Sequence, residues 1–243
     1  MQLLTAIRHP VSKLAASLAA VTLLASCGGG DPYAGLWDGD MSGQRQATAV
    51  VLGDGDYYML YSQPGKPSVM GGLVQGTGDF QGATFTSADA KDYNWEVFGA
   101  PGKTAPLSAK VSPHQSVTGS AGARSFTVRH TRDLDDDARI ADIAGSHVGT
   151  VMFTLGARPA VFTVSANGQV STSINGCSIT GVATPRADTE AFDLVMTFGG
   201  APCVFPGVSF NGIAFYQQDS RQLQAAVINK TYQQAIGFSG IKQ

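Results

Sequence analysis

Two dipeptides, Asp54-Gly55 and Asn167-Gly168, most constrain what this chain can fold into. Each sits between runs rich in Val, Thr, Phe and Tyr. Each supplies the residue pair that a type I′ turn demands, because both central positions need positive φ. Such turns predict antiparallel strands joined by tight hairpins. After the first turn, Tyr57-Tyr58-Met59-Leu60-Tyr61 places Tyr57, Met59 and Tyr61 on one face of a strand, and at least one of Tyr57 and Tyr58 is expected to face outward. Further strands are predicted over 125–129, 148–154, 192–198, 210–216 and 222–228, several alternating polar with apolar as in sheets with one wet face. Helix formers are scarce: 30 glycines stand beside only two glutamates, Glu96 and Glu190. Only 134–144 could hold a helical turn or two, packing between the halves. The expected fold is all-β, with two tandem small antiparallel β-sandwich or β-barrel domains.

The chain echoes itself. Tyr33-Ala34-Gly35 with Gly39 matches Ile143-Ala144-Gly145 with Gly149, and Ala49-Val50-Val51-Leu52 before Asp54-Gly55 matches Ala160-Val161-Phe162-Thr163 before Asn167-Gly168. Ser116-Val117-Thr118-Gly119 parallels Ser209-Phe210-Asn211-Gly212. The order is kept and the spacing is not. A duplication of this kind divides the chain into a first β domain at 33–132, a linker at 133–142 and a second β domain at 143–243.

Near the N-terminus, Arg8, His9 and Lys13 precede an apolar run, Leu14 to Leu24, and Leu24-Ala25-Ser26-Cys27 opens into Gly28-Gly29-Gly30. The apolar run falls far short of the roughly 20 residues that a membrane-crossing helix needs. Leu24-Ala25-Ser26-Cys27 resembles the lipobox of a bacterial lipoprotein precursor. That resemblance implies removal of residues 1–26 and acylation of Cys27, with 27–32 as a flexible leash. It also implies outer-membrane sorting, since Gly28 and not Asp follows the cysteine. An ordinary secretory signal with a chance cysteine is the rival. Cleavage would remove Arg8 and Lys13 from 16 basic residues and none of the 18 acidic ones, leaving 14 against 18, a net charge of −4. That acidity argues against nucleic acid, which needs clustered Lys and Arg. With no basic patch for anionic headgroups either, the acyl chains alone would hold the protein at a membrane.

Cys177 and Cys203 remain as an even pair in an exported chain and are expected to form a disulfide. A two-cysteine metal site is the rival, but no histidine lies at ligand spacing from either. The loop around Gly199-Gly200-Ala201-Pro202-Cys203 and Pro206-Gly207 would then be clamped. His114, His130 and His147 show no zinc spacing. Asp133-Leu134-Asp135-Asp136-Asp137 begins like a calcium loop and fails at Ala138 and Ala144, so a solvated acidic linker is expected. Asp38-Gly39-Asp40 fails likewise at Ala49 and reads as a turn. Neither a G-x-S-x-G elbow nor a phosphate-binding loop occurs. No catalytic residue, cofactor or metal is therefore assigned. Glu96 and Glu190, with Asp92, are the acids that could serve a hydrolase with a dispersed site.

Trp37, Tyr57, Tyr58, Tyr61, Trp95 and Phe98 gather in the first half. Exposed, Tyr57, Tyr61 and Trp95 would make a partner surface; buried, they would make core. The second half, through Asn175 to Gly181, Phe198 to Cys203, Gly212-Ile213-Ala214 and Arg221-Gln222-Leu223, resembles the repeated β domain of uncharacterised proteobacterial lipoproteins. Gly237-Phe238-Ser239-Gly240 is similar to endings of β-barrel domains in surface lipoproteins of the transferrin-binding type. Neither resemblance carries catalytic residues. The expected function is a lipid-anchored cell-envelope binding protein that recognises a protein or envelope component, including the immunity or inhibitor type. An envelope hydrolase and a structural subunit of an envelope assembly are the alternatives.

Overall fold

The computed structural model describes residues 33–187 and 189–243. The expected leader (1–26), the acylated Cys27 and the leash (27–32) lie outside the described residues. The first unit comprises β1 (Gly35–Met41), β2 (Arg45–Val51), β3 (Asp56–Gln63), β4 (Lys66–Thr77), β5 (Asp79–Gln81) and β6 (Thr84–Ser87). It continues with β7 (Lys91–Asn94), β8 (Lys103–Thr104), β9 (Leu107–Ser112), β10 (Ser116–Ala121) and β11 (Arg124–Arg132). A single helical turn, α1 (Ile140–Ile143), leads into the second unit. That unit comprises β12 (Gly145–Phe153), β13 (Gly156–Val164), β14 (Gln169–Ile174), β15 (Cys177–Pro185), β16 (Ala191–Phe198), β17 (Ser209–Gln217), β18 (Gln222–Asn229) and β19 (Gln234–Lys242). The chain is all-β, and every strand pairing is antiparallel. Among the described residues no helix is long and apolar enough to cross a membrane.

The first unit is an 11-stranded curled sheet in the order β5-β6-β9-β10-β11-β1-β2-β3-β4-β7-β8. The second is a closed eight-stranded barrel that runs β12 to β19 in chain order. Both hairpins form where predicted, but not through type I′ turns. Asp54 and Asn167 do not take positive φ, and the turn centres are Gly53-Asp54 and Ala166-Asn167, each followed by its glycine in the left-handed region as a bulge. Leu52 N–H donates to Asp56 O (2.9 Å) and Gly55 N–H to Leu52 O (3.0 Å). Ser165 N–H repeats this with Gln169 O (2.9 Å) and Gly168 N–H with Ser165 O (3.0 Å). Gly55 and Gly168 sit at φ +87° and +81°, a region that a Cβ disfavours. Asp38-Gly39-Asp40, expected as a turn, is instead the middle of β1, where Asp38 accepts a hydrogen bond from Thr48 Oγ1 across the β1–β2 ladder.

Three apolar clusters organise the molecule. One fills the curl of the first sheet, around Trp37, Met59, Tyr57, Phe85 and Val128. One lines the barrel interior, around Phe162, Leu194, Phe198, Phe210 and Phe238. The third joins the units: Leu36, Val50, Tyr58, Leu60, Leu73, Tyr93 and Trp95 pack against Met152, Ile213, Phe215, Ala226, Ile228 and Ala235. Trp95 Nε1–H donates to Ala235 O (3.0 Å) within that interface. Both Tyr57 and Tyr58 are therefore buried. They point oppositely as expected, but the barrel covers the face that the sequence left to water. The 134–144 segment packs against both units, as expected of it. Leu134 joins the interface and Ala138 and Ile143 join the barrel core, while the acidic Asp133, Asp135, Asp136 and Asp137 stay in water.

Candidate functional site

Antiparallel hairpins alternate between the two ends of the barrel, and the ends differ. At one end α1 seals the core with Ile140 and Ile143. At the other, the connections at 154–155, 175–176, 199–208 and 230–233 surround a cavity of about 220 Å³. Period-2 alternation along each strand turns Val151, Phe162, Ile179, Leu194, Ala225 and Phe238 inward to line it. No charged residue and no histidine contributes to its wall. Its one buried hydroxyl, Thr172 Oγ1, has no hydrogen-bond partner.

The Cys177–Cys203 disulfide, separated by 26 residues, ties the 199–208 loop to the start of β15 at this mouth. The bridge holds Pro202, Val204 and Phe205 over the opening. Phe205 packs against Phe198, Phe210 and Tyr232, with ring centroids 5.7, 5.3 and 5.8 Å apart. A loop of the first unit docks on the same end, where Gly99 N–H donates to Thr154 O (2.9 Å) and Gly102 N–H to Gln233 O (2.8 Å). That loop presents Val97 and Phe98, the latter 78% exposed. With Val204 and Tyr232, also exposed, they give this end an apolar rim. The sequence reading found the clamped loop but not the cavity, because alternation says which residues point inward and not that the sheet closes around space.

Of the two readings of Tyr57, Tyr61 and Trp95, partner surface or core, the structure shows core. All three are at most 3% exposed. Tyr57 sits inside the curl against Phe85 (5.4 Å between centroids), and Trp95 lies in the interface between the units. Tyr61 lies between two guanidinium groups, Arg45 and Arg124, at 5.3 and 5.0 Å from its ring centre. Its hydroxyl donates to Asp92 Oδ1 (2.6 Å), and Arg124 Nε–H donates to Asp92 Oδ2 (3.2 Å). Burial, and then the neighbouring Asp92 charge, push the Tyr61 phenol well above the ordinary tyrosine range. Tyr58 is pushed up to about 12, first by burial and then by Asp56.

The acids weighed for a hydrolase are engaged in ion pairs. Arg45 grips Glu96 with both Nη atoms (3.0 and 2.7 Å), and Glu190 pairs with Arg132 (2.9 Å). Glu96 and Glu190 therefore serve separate arginines and do not converge as a glycosidase pair would.

The histidines divide. His147 is fully buried at the α1 end of the barrel, with Nε2–H donating to Ile143 O (2.8 Å). Burial holds it below the ordinary histidine range, and nearby Lys242 adds to this against the opposing hydrogen bond. His114 and His130, by contrast, meet around Asp133, which sequence spacing did not foresee. Asp133 Oδ1 lies 3.2 Å from His114 Nδ1 and 3.1 Å from His130 Nε2. Among known proteins, no family model and no curated sequence matches the chain.

Proposed function

We propose that this chain is a lipid-anchored binding protein of the bacterial cell envelope, and that its barrel mouth takes up an apolar segment, such as the acyl chain of an envelope lipid. The reading rests on one observation: a cavity of about 220 Å³ with no charged wall residue, opening through an apolar rim at one end of an eight-stranded barrel. Barrels of that strand number can hold one small ligand. A concave apolar space favours a slim apolar ligand over the broad, flatter surface that a protein partner needs. Thr172 Oγ1, buried without a partner, is free to hydrogen-bond a polar group of that ligand.

The magnitudes agree. Burying about six methylenes at about 0.8 kcal/mol each gives about 5 kcal/mol, enough for weak capture. Acylation of Cys27 would hold the mouth near its ligand and raise the effective concentration, so weak capture would suffice. The ion-paired states of Asp92, Glu96 and Glu190 weigh against the hydrolase alternative.

The test is saturable binding of cis-parinaric acid, a polyene fatty acid whose fluorescence rises in apolar surroundings. The expected result is one-to-one enhancement that falls at least tenfold in affinity when Val204→Asp puts a charge on the rim. Absence of saturable enhancement, or equal affinity in Val204→Asp, overturns the acyl-binding reading. The address has its own test: intact mass of native protein should show residues 1–26 removed and Cys27 acylated. A free thiol at Cys27, or a retained leader, overturns it.

A further inference from the structure

The His114, His130 and Asp133 cluster has no role in the barrel mouth, and its geometry is unusual for an ion-pair network. His130 lies on β11, paired across the sheet with Trp37 of β1, whose ring packs on its edge at 4.8 Å between centroids. Its side chain is 10% exposed, and its Nε2 is sealed from solvent without an aligned hydrogen-bond partner, although Asp133 Oδ1 is 3.1 Å away. His130 Nε2 is thus close to Asp133 Oδ1 without a hydrogen bond to it, while that oxygen is hydrogen-bonded to His114 Nδ1 (3.2 Å). His114 reaches the same carboxylate oxygen from the β9–β10 turn, where it holds φ +50°. That turn is fixed against β11 by His130 N–H donating to Gln115 O (3.0 Å). Gly35 completes the pocket: a Cβ there would come within 2.9 Å of His130 Nε2.

We infer that His114 Nδ1, His130 Nε2 and Asp133 Oδ1 form a binding site for a divalent transition-metal ion of the zinc class. The three ligand atoms lie within 4.8 Å of one another. With metal–ligand bonds of about 2.1 Å, the separations of 3.1 and 3.2 Å from Asp133 subtend about 95–100° at the ion, between octahedral and tetrahedral values. The wider His–His gap closes by a swing of His114, which is 51% exposed. Two imidazoles and one carboxylate suit Zn²⁺, Co²⁺ or Ni²⁺ over Ca²⁺ or Mg²⁺, which prefer all-oxygen shells. His114 and Asp133 are each about half exposed, so water completes the coordination. Bound there, the ion ties the β9–β10 turn to the first residue after β11, where the chain leaves the first unit.

The experiment uses the full chain in mild detergent, stripped with EDTA and titrated with ZnCl₂ by calorimetry and with CoCl₂ by visible absorption. The expected result is one-to-one binding, with cobalt bands in the visible. Affinity should fall by at least about tenfold in His114→Ala and in Asp133→Asn. Both residues are half exposed, so these variants should keep the wild-type circular dichroism. Zinc should also raise the melting temperature of the wild type and not that of His114→Ala. Absence of saturable one-to-one binding, or affinity unchanged in both variants, overturns the site.

Discussion

The two β units begin alike and end differently. In each, the opening strand carries a Gly-x-x-x-Gly stretch, a Gly turn joins the second strand to the third, and the opening strand pairs with the last: β1 with β11 and β12 with β19. At the seam each uses a glycine for close approach. A Cβ on Gly39 would come within 2.2 Å of Thr127 O, and one on Gly149 within 2.0 Å of Ser239 O. The third sequence echo does not correspond, because Gly119 lies on the penultimate strand of its unit and Gly212 on the third from last. The divergence lies between. The barrel runs as an unbroken meander and closes. In the first unit the segment 79–104 sends β5 and β6 to one margin and β7 and β8 to the other, leaving open edges. Those edges are short, three and two residues, which limits stray pairing. Closure and docking are alternative ways to complete a sheet. The barrel hides its edges within itself, while the open sheet gains stability by laying one face on the barrel.

Removing the dock should have the largest effect. Trp95→Ala deletes the largest interface side chain and its bond to Ala235 O, and is expected to cost about 3–5 kcal/mol. The wild type should unfold in one transition by calorimetry, and the variant in two, with the open sheet melting first. A single transition shifted by less than about 1 kcal/mol would mean that the sheet does not depend on the barrel. Next in size is the disulfide. Replacing both Cys177 and Cys203 by Ser in the Trp95→Ala background, where two transitions are resolved, should cost roughly 3–4 kcal/mol in the chain-entropy model, all of it in the barrel transition. Read against Trp95→Ala, loss in the sheet transition would show that the units are not separable.

How much of this was legible follows from the same contrast. The strands predicted at 125–129, 148–154, 192–198, 210–216 and 222–228 lie within or largely overlap β11, β12, β16, β17 and β18, because turn chemistry and alternation are local. The disulfide was legible from compartment and parity. Tyr57 to Tyr61 and Ala225 to Ile228 are apolar without alternation, which is the mark of a strand buried on both faces. That signal names no partner, so the sequence alone leaves Tyr57, Tyr61 and Trp95 open between surface and core, and the barrel decides for core. The His114–His130 meeting was hidden because the two are far apart in sequence. Register reveals it: the turn at Gly122 pairs Ser116 with Arg129, which brings the residues just beyond the hairpin ends together. The barrel cavity had no local signal, since closure depends on β12 meeting β19.

The two seams can be compared directly, with smaller effects. Gly149→Ala and Gly39→Ala each force a Cβ into backbone, at a cost of about 1–3 kcal/mol. Loss should be larger at Gly149, because a closed ring cannot splay while the open sheet can. Urea denaturation of both variants checks this; equal losses would mean that the curled sheet is as stiff as the barrel.

The smallest effect separates the units by acid. With Nε2–H committed to Ile143 O, His147 is neutral in the barrel, and its Nδ1 is buried without a partner. Protonation would add a donor there with nothing to accept it, near the Lys242 cation. Because the folded pKa lies below the ordinary 6.5, the unfolded chain binds more protons as pH falls through that value. Stability from this group is therefore whole above about pH 6.5 and is lost as pH drops toward the folded pKa, at up to about 1.4 kcal/mol per pH unit. The loss should appear in the barrel, which carries His147 at its sealed end. His147→Gln, which keeps a donor for Ile143 O, should flatten the slope of stability between pH 7.5 and 5.5. An unchanged slope would place the acid sensitivity in another group and remove this distinction between the units.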